Sequence, residues 1–468
     1  MASASNKQSK KLRIVLMPFF ATSHIGPFTD LAFHLAAARP DVVEATVSVT
    51  HANASVVRSA LARRGPSSCA DVAVEVATYA FPVVDGLPAG VDNLSTVAAA
   101  DAWRIDVTAT DEKLMRPGQE SLIKELSPDA IITDMHFFWN VDVAADLGVP
   151  CVTFHAIGTF PTLAMCNLLV RGGVHDTTDG VVTVPGFPSP DIRLPVTELP
   201  EFMRTQQILD RSIGLAQKRC LGLAANTFFD LEHRYCDMWV GNGSVKRTYL
   251  VGPLLITTVA IVQSKHDWLA SVMYLCFGSL THVSEAQLQE LALGLEVSKQ
   301  PFLWVVRAET WSPPDGWKER VGDRGMVITG WAPQTAILAH PSVGAFVTHC
   351  GWNSVAAGVP EMTWPMVVEQ FITERFVTEV LAIGERLWPE GFGLRSTRRE
   401  EHELVPAEAV ARSVAKFMEP GGPGHMARTR VKELSEKAKA AMAEGGSSHR
   451  DLHRLIDDLM EGGEAAVR

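Results

Sequence analysis

The amino-acid sequence predicts an α/β protein made of two doubly wound parallel sheets in tandem. Three observations carry that expectation. The chain has 468 residues, more than one hydrophobic core usually serves, so two domains of roughly 200 residues each are expected. Short apolar runs alternate with helical patterns, as parallel strands joined by crossover helices do. The alternation then starts afresh at Val272, beyond a stretch around Gly252-Pro253 that has no helical period.

The first series opens with Leu12 to Phe20, a largely apolar run that reads as a buried parallel strand. A loop with His24 and Gly26 follows, then a helical pattern from Phe28 to Ala38. Val42 to Thr50, Ala130 to Asp134, Cys151 to Phe154 and Leu221 to Asn226 read as further strands, each with a helical stretch behind it, the last from Asp230 to Val240. In the second series the strands are Val272 to Phe277, Phe302 to Val306, Met326 to Thr329, Ala345 to Thr348 and Met362 to Trp364. Pro406 to Leu459, rich in Ala, Glu, Lys and Arg, reads as two or three surface helices. The predicted division is an N-terminal domain over 1–248, a linker over 249–270, a C-terminal domain over 271–450, and a last helix over 451–468 packing back on the first domain. The two sheets are expected to face each other across a cleft, with ligands at the carboxyl ends of the strands.

Composition narrows the function. A formal charge of −11 disfavours nucleic acid, and no basic cluster interleaved with aromatics opposes it. No apolar run is long enough to span a membrane, and Leu12 to Ala21, interrupted by Arg13 and Pro18, lacks the layout of a secretory signal. The 7 cysteines are scattered without a C-x-x-C pair, which argues for reduced thiols in the cytoplasm. A phosphate loop, an H-E-x-x-H helix and a dinucleotide glycine fingerprint are all missing, and Gly391-Phe392-Gly393 reads as a plain turn. That disfavours a nucleotide-dependent oxidoreductase on the same sheet type.

The most specific text runs from Trp331-Ala332-Pro333-Gln334 through His349-Cys350-Gly351-Trp352-Asn353-Ser354 and Gly358-Val359-Pro360 to Glu369-Gln370. Trp331 at a strand end offers a flat face for a nucleobase. Pro333 at a helix start leaves backbone groups of Ala332 for base edges. His349 ends a strand, and the residues after it open a helix whose free N–H groups suit a diphosphate. Glu369 and Gln370 pair an acceptor with a donor, as sugar hydroxyls require.

This stretch resembles the donor signature of plant family-1 UDP-dependent glycosyltransferases. Pro128-Asp129 to Asp134, Asn226-Thr227-Phe228, Val251-Gly252-Pro253 and Cys276-Phe277-Gly278-Ser279 extend the likeness over nearly the whole chain. The resemblance implies the GT-B fold, two Rossmann-like domains with acceptor in the first and UDP-sugar in the second. It implies that Trp331 stacks on uracil, Ala332 binds its edge and Gln334 contacts ribose. It assigns His349, Asn353, Ser354 and Ser279 to the diphosphate, and Trp352, Glu369 and Gln370 to the sugar. UDP-glucose is then a co-substrate, no cofactor or metal is implied, and the expected protein is a monomer binding a UDP-sugar and a small acceptor.

In that family about seven residues, one of them a ribose-binding Glu, separate the Asn-Ser pair from Gly-Val-Pro. Here only Val355, Ala356 and Ala357 intervene, and Glu361 follows Pro360 where an apolar residue is usual. Trp268 to Val272 is a second apparent shortening. A protein with an impaired donor site, binding an aglycone or partner without efficient turnover, is therefore the competing expectation.

For catalysis the resemblance makes His24 the general base. The chemistry needs one, because an alcohol attacking the anomeric carbon must lose its proton and imidazole titrates in the right range. Asp134, ending its strand at the same sheet edge, can orient the ring and stabilise the imidazolium. Inversion of the anomeric carbon in a single displacement is expected. Phe19, Phe20, His136, Phe137, Phe138, Trp139 and Phe154 are the candidates for an apolar acceptor pocket suited to a flavonoid, another phenolic or a terpenoid.

Overall fold

The structure is a computed structural model and describes residues 11–64, 72, 74–98, 100–171, 180–205, 211–254, 272–279, 281–308, 311–355, 358–388 and 394–467. The described residues within 1–156, 210–254 and 441–468 form one compact unit, and those within 157–209 and 255–440 form another.

The first unit holds a seven-stranded parallel sheet in the order β3-β2-β1-β4-β5-β8-β9. Its strands are β1 (Leu12–Met17), β2 (Val43–Thr50), β3 (Val74–Tyr79), β4 (Ala130–Asp134), β5 (Cys151–His155), β8 (Gly222–Ala225) and β9 (Thr248–Leu250). Both faces are covered, which is why β1 is apolar at every position but Arg13. Ile14 and Leu16 enter one core with Phe28, Leu31 and Leu35, while Val15 and Met17 enter the other with Ile105, Met115 and Trp139. The last helix, Ser447–Val467, adds Leu452, Leu455, Ile456 and Leu459 to the first of these cores. Tyr249 hydroxyl donates to the Asp458 carboxylate at 2.6 Å, and Leu250 N–H to Asp451 at 2.8 Å.

Two readings of the sequence are corrected here. His24 and Gly26 lie inside the helix Thr22–Ala38, not in a loop before it. Gly26 and Pro27 are poor helix formers, but full burial of Ile25 and Phe28 outweighs local propensity. Tyr249 and Leu250, read as the start of a linker, belong to the edge strand β9.

The second unit holds a six-stranded parallel sheet in the order β12-β11-β10-β13-β14-β15. Its strands are β10 (Val272–Cys276), β11 (Phe302–Val306), β12 (Gly325–Thr329), β13 (Val343–Thr348), β14 (Glu361–Thr363) and β15 (Gly384–Arg386). Met273 and Leu275 face a core completed by Leu291, Leu295, Val410 and Val414, and Tyr274 and Cys276 face one shared with Phe346 and Leu338. The helices read over the C-terminal stretch are Ala407–Met418, Pro423–Met442 and Ser447–Val467.

The described residues of 157–205 follow β5 in sequence but lie in this second unit. They supply the helix Thr159–Arg171 and an antiparallel pair, β6 (Val181–Thr183) and β7 (Arg193–Pro195). Phe160 stacks on Phe376 at 4.6 Å. Buried Arg375 joins Glu198 at 2.5 Å and Glu374 at 2.6 Å, and Arg395 reaches Glu198 at 3.1 Å. Burial alone would raise the Glu374 carboxyl, but Arg395, Arg375 and Arg386 offset that and hold it below the usual range. Gly391 to Gly393 and Trp268 to Ser271 lie outside the described residues.

Candidate functional site

In a doubly wound sheet the crevice opens where the strand order reverses. In the first sheet that point lies between β1 and β4. Asp134 is the last residue of β4, and His24 stands in the first turns of the helix that follows β1. The topology thus brings together two side chains 110 positions apart.

His24 Nδ1 lies 2.7 Å from Asp134 Oδ2, and His136 Nδ1 lies 2.6 Å from Asp134 Oδ1. Backbone N–H groups of Phe19 and His136 donate to the same carboxylate at 3.4 and 3.2 Å. The Asp134 side chain is 1% exposed, against 16% for His24 and 32% for His136. Burial would push the Asp134 carboxyl up, but the two imidazoles more than offset it and hold the group well below the usual carboxylate range. An ionised carboxylate accepting from each Nδ1–H leaves each Nε2 with its lone pair when the ring is neutral. His136 also stacks on Phe19, with centroids 4.3 Å apart.

Sequence reasoning named His136 only as a pocket wall. The signal it passed over was the i, i+2 spacing of Asp134 and His136 directly off a strand end. Among the other pocket candidates, Phe20, Phe137, Trp139 and Phe154 are fully buried. Trp139 Nε1–H donates to Gln119 at 2.7 Å, and these rings serve as core. Phe138 is partly exposed.

The second sheet reverses between β10 and β13. Gly278, with φ of +73°, follows β10, and a Cβ there would lie 2.4 Å from the His349 ring, so only glycine lets the loop pass the imidazole. Burial lowers the His349 pKa to about 4, and its Nδ1 has no hydrogen-bond partner among the described residues. The imidazole is therefore neutral and offers an N–H, not a positive charge. Arg307, just beyond β11, donates to the Ser279 carbonyl; this cation beside the loop was missed because nothing in its sequence neighbours marks it.

Trp331 follows β12 and is 75% exposed, unusual for so large an apolar ring. Ala332 is buried, and its carbonyl accepts from Gln334 N–H at 2.8 Å. The helix after His349 is Trp352–Val355. Ser354 is buried and Asn353 partly so. The Trp352 ring is committed to packing, since a Cβ on Gly158 would come within 2.2 Å of it and Phe376 stacks at 6.0 Å. Gln370 Oε1 accepts from Met366 and Val367 N–H at 3.0 and 3.1 Å, and Val368 takes a φ of +50°, a strained value for a β-branched residue. Glu369, beside it, is 9% exposed.

Glu361 opens β14 fully buried, and neither carboxyl oxygen has a hydrogen-bond partner among the described residues. Burial pushes its pKa well above the usual value, so the fold favours its protonated form. The described residues show no helix long and apolar enough to cross a membrane, and Cys151, Cys166, Cys220, Cys236, Cys276 and Cys350 are free thiols.

Residues 253–385 match the family described as UDP-glucoronosyl and UDP-glucosyl transferase. The chain is 35% identical to UDP-glycosyltransferase 73E1 of Stevia rebaudiana, over 96% of this chain and 97% of that one. It is 33% identical to scopoletin glucosyltransferase of Nicotiana tabacum, over 96% and 98%. Among solved structures, UGT73P12 of Glycyrrhiza uralensis, complexed with glycyrrhetinic acid 3-O-monoglucuronide, matches with a TM-score of 0.84 and 29% identity over 98% and 97% of the two chains. With two parallel sheets of doubly wound order and relatives matched over nearly its whole length, the chain belongs to the plant family-1 UDP-dependent glycosyltransferases, which have the GT-B fold.

Proposed function

We propose that this UDP-dependent glycosyltransferase moves glucose from UDP-glucose to a hydroxyl of a small apolar acceptor, a flavonoid, another phenolic or a terpenoid, with inversion at the anomeric carbon. The observation that carries the reading is the buried Asp134 carboxylate 2.7 Å from His24 Nδ1. His24 Nε2 takes the acceptor's hydroxyl proton as its oxygen attacks the anomeric carbon, and Asp134 stabilises the imidazolium that forms. The bond to UDP breaks in the same displacement, and its charge is met by hydrogen-bond donors.

Sheet geometry supports this placement of the donor. Trp331, Gly278 and Ser279, His349, and Glu369 with Gln370 follow β12, β10, β13 and β14, all at the carboxyl edge of the second sheet. Three strand spacings, roughly 14 Å, separate β12 from β13. An extended nucleoside diphosphate covers such a span with its base on Trp331 and its diphosphate at His349, Asn353 and Ser354. Glucose is favoured by the scopoletin glucosyltransferase. The free thiols suit a cytoplasmic protein, and we expect a monomer.

The shortened interval from Ser354 to Gly358 favours a second reading, an aglycone-binding protein with weak donor affinity. Titration with UDP and UDP-glucose, followed by a turnover assay on a phenolic panel, separates the two. Glucoside formation at micromolar donor supports the enzyme, and aglycone binding without nucleotide binding supports the alternative.

A further inference from the structure

We propose that His24, Asp134 and His136 form a binding site for a zinc-like divalent cation. Two imidazoles and a carboxylate are a donor set that suits Zn²⁺, Cu²⁺ or Ni²⁺ and ill suits Mg²⁺ or Ca²⁺, which take oxygen ligands. The three ligand atoms already lie within 4.8 Å of one another. A tetrahedral zinc at about 2.0 to 2.1 Å from each ligand needs them roughly 3.3 Å apart, so side-chain shifts on the order of 1 Å close the site.

The surroundings are built to hold the ligands. Phe19 and His136 N–H groups fix the carboxylate, and Phe19 backs the His136 ring at 4.3 Å, the kind of outer support that orients metal ligands. The two imidazoles are partly exposed, which leaves an approach for the ion and room for water as a fourth ligand.

Binding at Nδ1 has a chemical consequence. Each neutral ring must move its proton from Nδ1 to Nε2, with no net proton released, while a protonated ring releases one. His24 Nε2 then carries a hydrogen and cannot accept one from an acceptor hydroxyl. The cation switches off the base. This consequence rests on the proposed role of His24, whereas the binding itself does not.

The test uses the full chain, freed of metal by chelator dialysis and titrated with Zn²⁺ by calorimetry without donor or acceptor. One Zn²⁺ per chain is expected with micromolar or tighter affinity, and none with Mg²⁺ at millimolar levels. His136→Phe keeps the stack on Phe19 while removing the ligand nitrogen, and it should weaken zinc binding at least tenfold, as should Asp134→Asn. Co²⁺ should give visible bands of a tetrahedral nitrogen and oxygen site without thiolate charge transfer. Absence of zinc binding, affinity unchanged in both variants, or a thiolate signature from the cysteines would overturn the site. If the site is confirmed, zinc should lower turnover of the unmodified protein while leaving the ratio of activities with and without zinc near one in His136→Phe. Zinc bound at this triad with turnover undiminished would leave the site standing and count against His24 as the base.

Discussion

At the carboxyl edge of the first sheet, the opening between β1 and β4 gathers two imidazoles onto one buried carboxylate. At the corresponding edge of the second sheet, between β10 and β13, a neutral His349 stands against Gly278, with Ser279 beside it. The topology is the same and the chemistry is opposite. One edge holds ionisable groups that the proposed function uses to move a proton, the other an uncharged ring and an exposed Trp331 that it uses to hold a nucleotide. A doubly wound sheet supplies a crevice at its reversal point, and the few side chains placed there decide its use.

The largest effect should come from breaking the first edge. His24→Ala should lower turnover by at least about a hundredfold, the usual share of a general base, while UDP affinity stays within a few-fold. Steady-state rates and UDP calorimetry on the same preparation check this. Asp134→Asn should lose less, because the imidazole survives without its orienting charge. Weakening of UDP by the same factor in both variants would point to misfolding and blur the comparison.

The second edge is sharpened by repair. Inserting Leu-Glu-Ala-Val after Val355 restores helix length and a carboxylate for the ribose hydroxyls. Charge-assisted hydrogen bonds contribute about 1.5 to 3 kcal/mol each, so UDP-glucose binding should tighten at least about tenfold. An insertion with Gln in place of Glu should recover less. Unchanged affinity in the repaired protein would mean either that another group already fills the role or that the interval is not a gap in the donor site. Conversely, Gly278→Ala drives a Cβ to 2.4 Å from the His349 ring. It should weaken UDP several-fold and cost about 1 to 3 kcal/mol of stability, the range for overpacking. Chemical denaturation and nucleotide titration read the two effects separately.

The smallest effect concerns Glu361, a buried acid serving neither edge. Glu361→Leu should stabilise the protein by about 1 to 3 kcal/mol, the penalty of an unpaired buried polar group. The pH dependence has a definite sign. A carboxyl raised in the folded state keeps its proton there after the unfolded chain has lost its own. Stability is therefore full below the unfolded value of about 4.3 and falls by up to about 1.4 kcal/mol per pH unit up to the folded pKa. Urea denaturation at several pH values should show that slope in the natural chain and a flatter one in Glu361→Leu.

Much of this was legible in the sequence where burial imposed a continuous apolar run. Ala130 to Asp134 and Phe302 to Val306 were read to the residue as β4 and β11. The edge strand β3 was passed over because Val74–Tyr79 is only partly buried and carries Glu75 and Thr78. The His24 and Asp134 pair was readable because both flank apolar runs, while the His136 contact depends on a local turn that periodicity does not report. That Thr159–Arg171 belongs to the second unit was not readable, since an apolar helix face does not name the sheet it packs on.

The discontinuity of the two units bears on how relatives of this protein can be recombined. Each unit draws on separate stretches, so among the described residues the chain changes unit after Ala156, between Thr205 and Arg211, after Leu254 and after Ala440. A chimera joined at a single point near 254 would inherit a first unit whose Leu452, Leu455, Ile456 and Leu459 come from the other parent, and a second unit whose Glu198 is foreign to its Arg375. Exchange of acceptor and donor specificity between family members calls for grafts that respect all four passages, with the terminal helix travelling alongside the amino-terminal sheet.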